Sequence, residues 1–218
     1  MLILAMDTAT EAVGAAVLDT DSGSVVGRAM VLGPMAHGEQ LGPVVADVLA
    51  QGGLRPADLG AIGVGRGPGP YTGLRVGLVH AEVLGWTLGI PVHGVCTLDV
   101  LAAEAAPTVA ADFLVVTDAR RREVYWAAYG AGGARIGDPQ VGAALDIPGR
   151  DRPAVGAGAT RYPEAFVDRR PPAFPDPGVL ARLVAARIAA EVPIDVSPLY
   201  LRRPDAVAGA PRKRVTPT

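Results

Sequence analysis

Two aspartates, Asp7 and Asp118, each end an apolar run and open a turn that re-enters a second apolar run. A carboxylate at a strand end can face a cleft and hold a divalent cation with its waters. It can equally accept backbone N–H bonds as an Asx-turn. The hydroxyls of Thr8 and Thr10 stand beside the first aspartate. Asp7, Thr8, Thr10 and Asp118 are therefore the candidate cofactor-facing set. A second candidate is GRGPGPYTGLRVG, Gly65 to Gly77, which follows a strand pattern and opens a helical one. Glycines let an anion approach the backbone, and a helix N-terminus attracts it. The spacing is neither G-x-x-x-x-G-K-[ST] nor a G-x-G-x-x-G opening a dinucleotide fold. The preferred reading is a rigid turn: Pro68 and Pro70 fix φ, the glycines take positive φ, and Thr72 caps the helix.

Other chemistries lack their residues. A helical two-histidine metal site needs i, i+4 spacing, but the residue four after His37 is Leu41, and no motif links His80 with His93. Cys96 has only His93 nearby, and strand alternation would put those two on opposite faces. No G-x-S-x-G occurs, so a peptidase lacks both a metal pair and a nucleophile–base pair. The cations are nineteen arginines and one lysine, Lys213. With that lysine near the end of the sequence, a P-loop or Schiff-base lysine is not expected. No metal ligand set is expected.

The elements that must position these residues follow from periodicity. Leu2–Met6, Ala12–Leu18 and roughly Val25–Leu32 predict three strands. Leu41, Val44, Val45, Val48 and Leu49 recur at i, i+3, i+4, i+7 and i+8, which predicts an amphipathic helix ended by Gly52-Gly53. Pro43 suits that helix only near its first turn. Leu59–Gly65 predicts a buried strand, Leu74 to Leu88 a helix apolar nearly all round, Pro91–Val95 a strand and Leu98–Ala106 a helix. This βββαβαβα order implies a mixed sheet covered by helices. The pattern then restarts: Phe113–Thr117, Asp118, a turn, and a strand over Val124–Tyr129. Asp7 to Val13 and Asp118 to Val124 are both six residues, which points to an internal duplication. Gly130–Gly149 reads as loop with one strand. Ala154–Ala159 reads as a strand leading into Gly156-x-Gly158, and Val179–Ile188 as a last helix.

Gly73, Gly77, Ala81, Gly85 and Gly89 recur every four residues along the second helix. Glycine costs a soluble helix up to ~1 kcal/mol per residue, so another backbone is expected to pack closely there. With so many apolar residues on the same helix, one lobe is not expected to bury every face, and the remainder marks an interface.

Composition limits the rest. The 218 residues are 50% hydrophobic, enough to build a core without disulfides. The single cysteine fits a reducing compartment. No secretory pattern and no ~20-residue apolar run appears, so a cytoplasmic protein is expected. Net charge is −2, which is no global footprint for nucleic acid. Arginines do cluster at Arg120–Arg122, Arg202–Arg203 and Arg212–Arg214, where solvated surface is the preferred reading.

Four segments, LILAMDTATEAVGAAVLD, GVGRGPGPYTGLRVGL, IPVHGVCTLDVLA and DARRREVYWAAY, resemble the TsaB (YeaZ) family of partner subunits in bacterial synthesis of threonylcarbamoyladenosine on tRNA. The ending PLYLRRPDAVAG resembles that family's ending. The resemblance implies an α/β, actin-like (ASKHA, ribonuclease H-like) fold. It implies two lobes of mixed sheets flanked by helices, residues 1–105 and a reduced second lobe, 106–218. It implies a non-catalytic scaffold that binds a TsaD-like catalytic subunit, with a TsaE-like ATPase joining through the complex and tRNA contacted indirectly. The same helices would support a homodimer. Mapped here, the interface would use His37, Leu41, Val45, Leu74, Leu78, Ala81 and Gly85.

Departures from the catalytic relatives point the same way. Asp7-Thr8-Ala9 lacks the glycine of the first phosphate loop, as does Ala119-Arg120 after Asp118. Gly156-x-Gly158 sits where relatives cradle adenosine. No cofactor is required on this reading, and ATP or ADP would bind weakly. The competing expectation is a free-standing actin-like ATPase or small-molecule kinase built on the two aspartate turns.

Overall fold

The computed structural model describes residues 1–33 and 37–202. β1 (Leu2–Asp7), β2 (Ala12–Asp19) and β3 (Ser24–Leu32) form an antiparallel meander, with Asp7 opposite Gly14 at its end. β4 (Leu59–Gly65) joins β1 in parallel, and β5 (Val92–Val95) joins β4. Strand alternation gives this sheet two apolar faces. Leu4, Met6, Val13, Ile62 and Val64 meet α1 (His37–Gln51) and α2 (Tyr71–Leu88) on one side. Ile3, Ala5, Leu18 and Ala61 meet Leu180, Ala181 and Val184 of α5 (Pro177–Ala189) on the other.

The second sheet repeats the topology. β6 (Phe113–Asp118), β7 (Glu123–Tyr129) and β8 (Arg135–Ala143) form the meander, with Asp118 opposite Val124. β9 (Ala154–Val155) and β10 (Arg169–Arg170) extend it in parallel. The strand orders are β3-β2-β1-β4-β5 and β8-β7-β6-β9-β10. Equal order and equal strand directions establish the duplication that the two aspartate turns suggested. The architecture is the expected actin-like one. The second repeat is the smaller: a short 3-10 turn, Ala144–Asp146, follows β8 where α1 follows β3, and the five-residue α4 (Ala157–Arg161) follows β9. The one strand expected within the Gly130–Gly149 loop is the nine-residue β8.

The last helices of the two repeats are exchanged. α3 (Thr97–Ala105) puts Leu98, Leu101, Ala102 and Ala105 onto Phe113, Val115, Ala127 and Tyr129 of the second sheet. α5, from the second repeat, covers the first sheet. The two cores thus each draw residues from both sides of the expected 1–105 and 106–218 division. The layers run α1 and α2, first sheet, α5 and α3, second sheet, α4.

Two local expectations need correction. The residue preceding α2 is Pro70, and no side chain caps that helix; Thr72 lies exposed inside its first turn. Cys96 is not on β5 but at the start of α3. The strand-alternation argument for His93 and Cys96 therefore does not apply; burial instead pushes the Cys96 thiol up to about 11. Pro43 falls in the second turn of α1, where it and Glu39 are both exposed. The carbonyl deprived of its helical partner there can turn to water.

Candidate functional site

The two aspartate turns end equivalent strands, yet they meet different surroundings. Asp7 is only 2% exposed. Its Oδ1 accepts the Ala9 N–H at 2.7 Å and its Oδ2 accepts the Thr97 hydroxyl at 2.8 Å. A side chain on Gly65 would strike the same carboxylate. Burial raises the Asp7 pKa to about 6, against the lowering effect of those two hydrogen bonds and of nearby His37. Asp7 is thus an Asx-turn closed over by its own chain. A divalent cation on Asp7 does not fit this arrangement, because both oxygens are committed and the group is sealed from solvent.

Thr8 is turned inward as well. Its hydroxyl donates to the Gly73 carbonyl at 2.8 Å and accepts the Gly77 N–H at 2.9 Å. It bridges an i, i+4 pair of α2 and pins that helix to the first turn. The glycines make room: a Cβ on Gly77 would lie 2.6 Å from Thr8 Oγ1, and one on Gly73 would lie 2.9 Å from the Thr8 carbonyl. Gly69 lies against the backbone of Ala9 with no space for a side chain. The Gly65–Gly77 segment is therefore a bracket molded on Asp7-Thr8-Ala9. Thr8→Val should cost about 1–3 kcal/mol, because two buried backbone groups lose their partner. Chemical denaturation measures it; an unchanged midpoint would show that the bridge does not hold α2.

Thr10 and Asp118 do share a cavity. It measures about 470 Å³ and lies between the repeats, lined among others by Thr10, His37, Tyr71, Asp118, Arg120 and Arg161. His37 Nε2 donates to the Thr10 carbonyl at 2.7 Å, which ties the start of α1 to the first turn. Asp118 accepts the Tyr162 hydroxyl at 3.0 Å and the Arg120 N–H at 3.1 Å. Arg161 lies 3.6 Å from Asp118 and pairs across the cleft with Glu11 at 3.2 Å. One buried hydroxyl on the wall, Thr117 Oγ1, has no partner among the described residues. Of the four residues expected to face a cofactor, the structure brings Thr10 and Asp118 to the cleft and withdraws Asp7 and Thr8. Gly156-x-Gly158 is tight for a structural reason: Gly156 has φ 105°, and side chains at 156 or 158 would strike the β6 backbone.

The expected interface residues are mostly internal. Leu41, Val45, Leu74, Leu78, Ala81 and Gly85 are all buried in the chain's own core, and His37 is half-buried. The small-residue stripe does receive another backbone, but that backbone belongs to the same chain: Thr8 at Gly73 and Gly77, and Ile90 and Val92 at Gly85. The sequence pointed to surplus apolar surface on this helix, but the mapped interface left out its outward face. Val79, Val83 and Trp86 are 50%, 57% and 87% exposed and recur at i, i+4 and i+7, one helical stripe. The signal was present in the spacing but was masked by the equally apolar inward stripe.

The chain after α5 ties these parts together. Arg66 binds Asp195 at 2.6 Å, and Leu199 N donates to the Arg66 carbonyl at 2.8 Å. The Tyr200 ring lies 5.1 Å from that of Tyr71, at the start of α2. Arg202 donates to the Ala119 carbonyl at 3.0 Å and pairs with Glu123. Among the described residues no helix is long and apolar enough to cross a membrane.

Residues 34–156 match the family model described as TsaD, tRNA N6-adenosine threonylcarbamoyltransferase. The chain is similar to the tRNA threonylcarbamoyladenosine biosynthesis protein TsaB of Escherichia coli, 39% identical over 59% of this chain and 55% of that protein. It is also similar, 47% identical over 94% of this chain and 93% of the relative, to an uncharacterized protein of Mycobacterium tuberculosis. Among solved structures it resembles YeaZ from Pseudomonas aeruginosa, with TM-score 0.78 and 29% identity over 92% of this chain and 99% of that one.

Proposed function

The chain belongs to the TsaB (YeaZ) family of threonylcarbamoyladenosine biosynthesis proteins, and from that premise we propose that it is a non-catalytic subunit that docks a TsaD-type catalytic partner through the outer face of α2. The observation that carries this reading is the exposed stripe Val79, Val83 and Trp86. A helix whose inner stripe already fills a core has no internal use for a second apolar stripe. A shallow depression of about 570 Å³ beside it, lined by Tyr71, Arg75, Val79, His80 and Val83, offers a place for a partner's side chain. A TsaE-type ATPase would join through the resulting complex, in the cytoplasm. The test is co-purification of the TsaD-type subunit with the native chain and with Trp86→Asp.

The cleft supports a second reading, a nucleotide-using enzyme, because Thr10, Asp118 and the unpartnered Thr117 hydroxyl line a cavity of ligand size. The commitment of Asp7 and Thr8 to internal bonds argues against it. Calorimetry with Mg-ATP on the isolated chain should give no heat of binding at a protein concentration of ~100 µM, equivalent to a Kd well above that value. A sub-millimolar Kd with ATP turnover would establish the enzyme reading instead.

A further inference from the structure

The outer face of α2 carries charge as well as apolar surface. At 3.6 residues per turn, Arg75, Val79, Glu82 and Trp86 fall within a sector of about 60°, and all four are exposed. Arg28, Arg66, Arg135 and Arg161 each reach a carboxylate of their own chain. Arg75 does not. Its Nη1 donates to the Tyr71 hydroxyl at 2.5 Å, and its guanidinium carbon stands 5.0 Å from the centre of the Tyr71 ring. That ring packs in turn on Tyr200, 5.1 Å between centroids. Neither contact of Arg75 is with an anion, so the cation is held in place without being neutralised. Glu82, seven residues further on, has no hydrogen bond or ion pair among the described residues. His80 lines the depression beside Arg75. Burial keeps its pKa below the usual histidine value, so at neutral pH it adds no second positive charge.

We propose that the docking partner lays a helix along α2, with a carboxylate facing Arg75, a cation facing Glu82 and an apolar side chain in the depression lined by Tyr71, Val79 and Val83. This rests on the docking reading above and names the chemistry of the partner's face. Seven residues are nearly two turns, so Arg75 and Glu82 stand about 10 Å apart along α2. A helix alongside offers residues seven apart at the same interval. A strand does not, because its same-face residues recur at about 6.6 or 13 Å. The guanidinium fork takes a carboxylate on two parallel N–H groups. Tyr71 already restricts the Arg75 side chain, so less rotamer freedom is lost when that pair forms. The order of the two charges also selects the partner, because the reverse order would bring like charges together.

The experiment measures binding of the TsaD-type subunit to the full chain by surface plasmon resonance, at about 50 and about 500 mM NaCl. The variants are Arg75→Gln, Arg75→Glu, and Arg75→Glu combined with Glu82→Arg. Both positions are exposed, so melting temperatures should stay within a few degrees of the native value. Arg75→Gln should bind about 10-fold more weakly at the lower salt and lose part of the salt dependence. Arg75→Glu should bind about 100-fold more weakly, because like charges then meet. The double reversal restores the net charge of −2, yet it should bind no better than Arg75→Glu, since both pairs are repulsive. Native-like binding by the double reversal would mean that only net charge matters, and overturns the proposal. Unchanged affinity of Arg75→Gln does so too. A face built for a second copy would pair Arg75 of one copy with Glu82 of the other. Sedimentation velocity would then show self-association that survives the double reversal, while binding of the TsaD-type subunit stays unchanged in every variant; that result also overturns it. If the native chain binds, Trp86→Asp does not and the Arg75 variants match the native chain, the docking reading stands and this one falls. If the native chain does not bind at all, both fall.

Discussion

Trp86→Asp should weaken binding of a TsaD-type subunit by about 100-fold or more while leaving the melting temperature of the isolated chain within a degree or two. The side chain is 87% exposed, so its removal costs the free protein almost nothing. In a complex it would be an aromatic anchor, and truncating such anchors costs ~2 kcal/mol or more. An aspartate in its place adds the cost of burying an unpaired charge. The opposite pattern is expected for Gly85→Leu. The new side chain would meet Val92 and the Ile90 carbonyl of its own chain, so the melting temperature should fall sharply and weaker binding would follow only from unfolding. Surface plasmon resonance for binding and scanning calorimetry for stability separate the two. Undiminished binding by Trp86→Asp would remove α2 as the docking face. Self-association of the native chain, abolished by the same substitution, would assign the face to a second copy.

The second large effect is expected at Asp7 and depends on pH. Its folded-state pKa is raised from 3.8 to about 6, chiefly by burial. A raised carboxyl pKa means that the folded state holds the proton more tightly than the unfolded chain does. That contribution to stability is complete below pH 3.8 and is lost as the pH climbs through about 6. The whole effect is roughly 3 kcal/mol, from about two pKa units at 1.36 kcal/mol each. Asp7→Asn keeps an oxygen for the Ala9 N–H, offers an amide N–H to Thr97 Oγ1 and carries no charge. It should therefore be more stable than the native chain at pH 7.5 by about 2 kcal/mol, a rise of ~4–8 °C in Tm. The two should converge at pH 4. A variant that is less stable at pH 7.5, or that keeps the native slope between pH 4 and 6, would show that Asp7 is stabilised as a carboxylate. If the chain is a scaffold, this variant should also support tRNA modification by the partner at the native rate.

Much of this protein is written locally. The continuous apolar runs of Leu2–Asp7 and Ala12–Asp19, the 3.6-residue spacing of α1 and the six-residue interval after each aspartate are properties of neighbours in sequence. They determined the element order and pointed to the duplication, while the actin-like class was implied by the family resemblance. Contacts between distant segments were not legible. Nothing in the sequence of α3 or α5 states that each covers the other repeat's sheet, because an apolar stripe specifies burial without naming its partner. Asp7 and Asp118 look alike as strand-end carboxylates. Only the approach of Gly65 and Thr97 seals the first, and only the smaller second repeat leaves the second at a cleft.

The orientation of α2 shows the limit most clearly. Leu74, Leu78 and Ala81 form one apolar stripe, and Val79, Val83 and Trp86 form another. Periodicity alone ranks them equally, and the residues expected at an interface fell on the stripe that the chain itself buries. The tertiary structure breaks the tie through the glycines. A Cβ at 73, 77 or 85 would collide with Thr8 or with the Ile90–Val92 segment, so the small side turns inward. The sequence by itself determined that this helix has more apolar surface than one side can bury. The packing of the first turn against it decided which half remains outside.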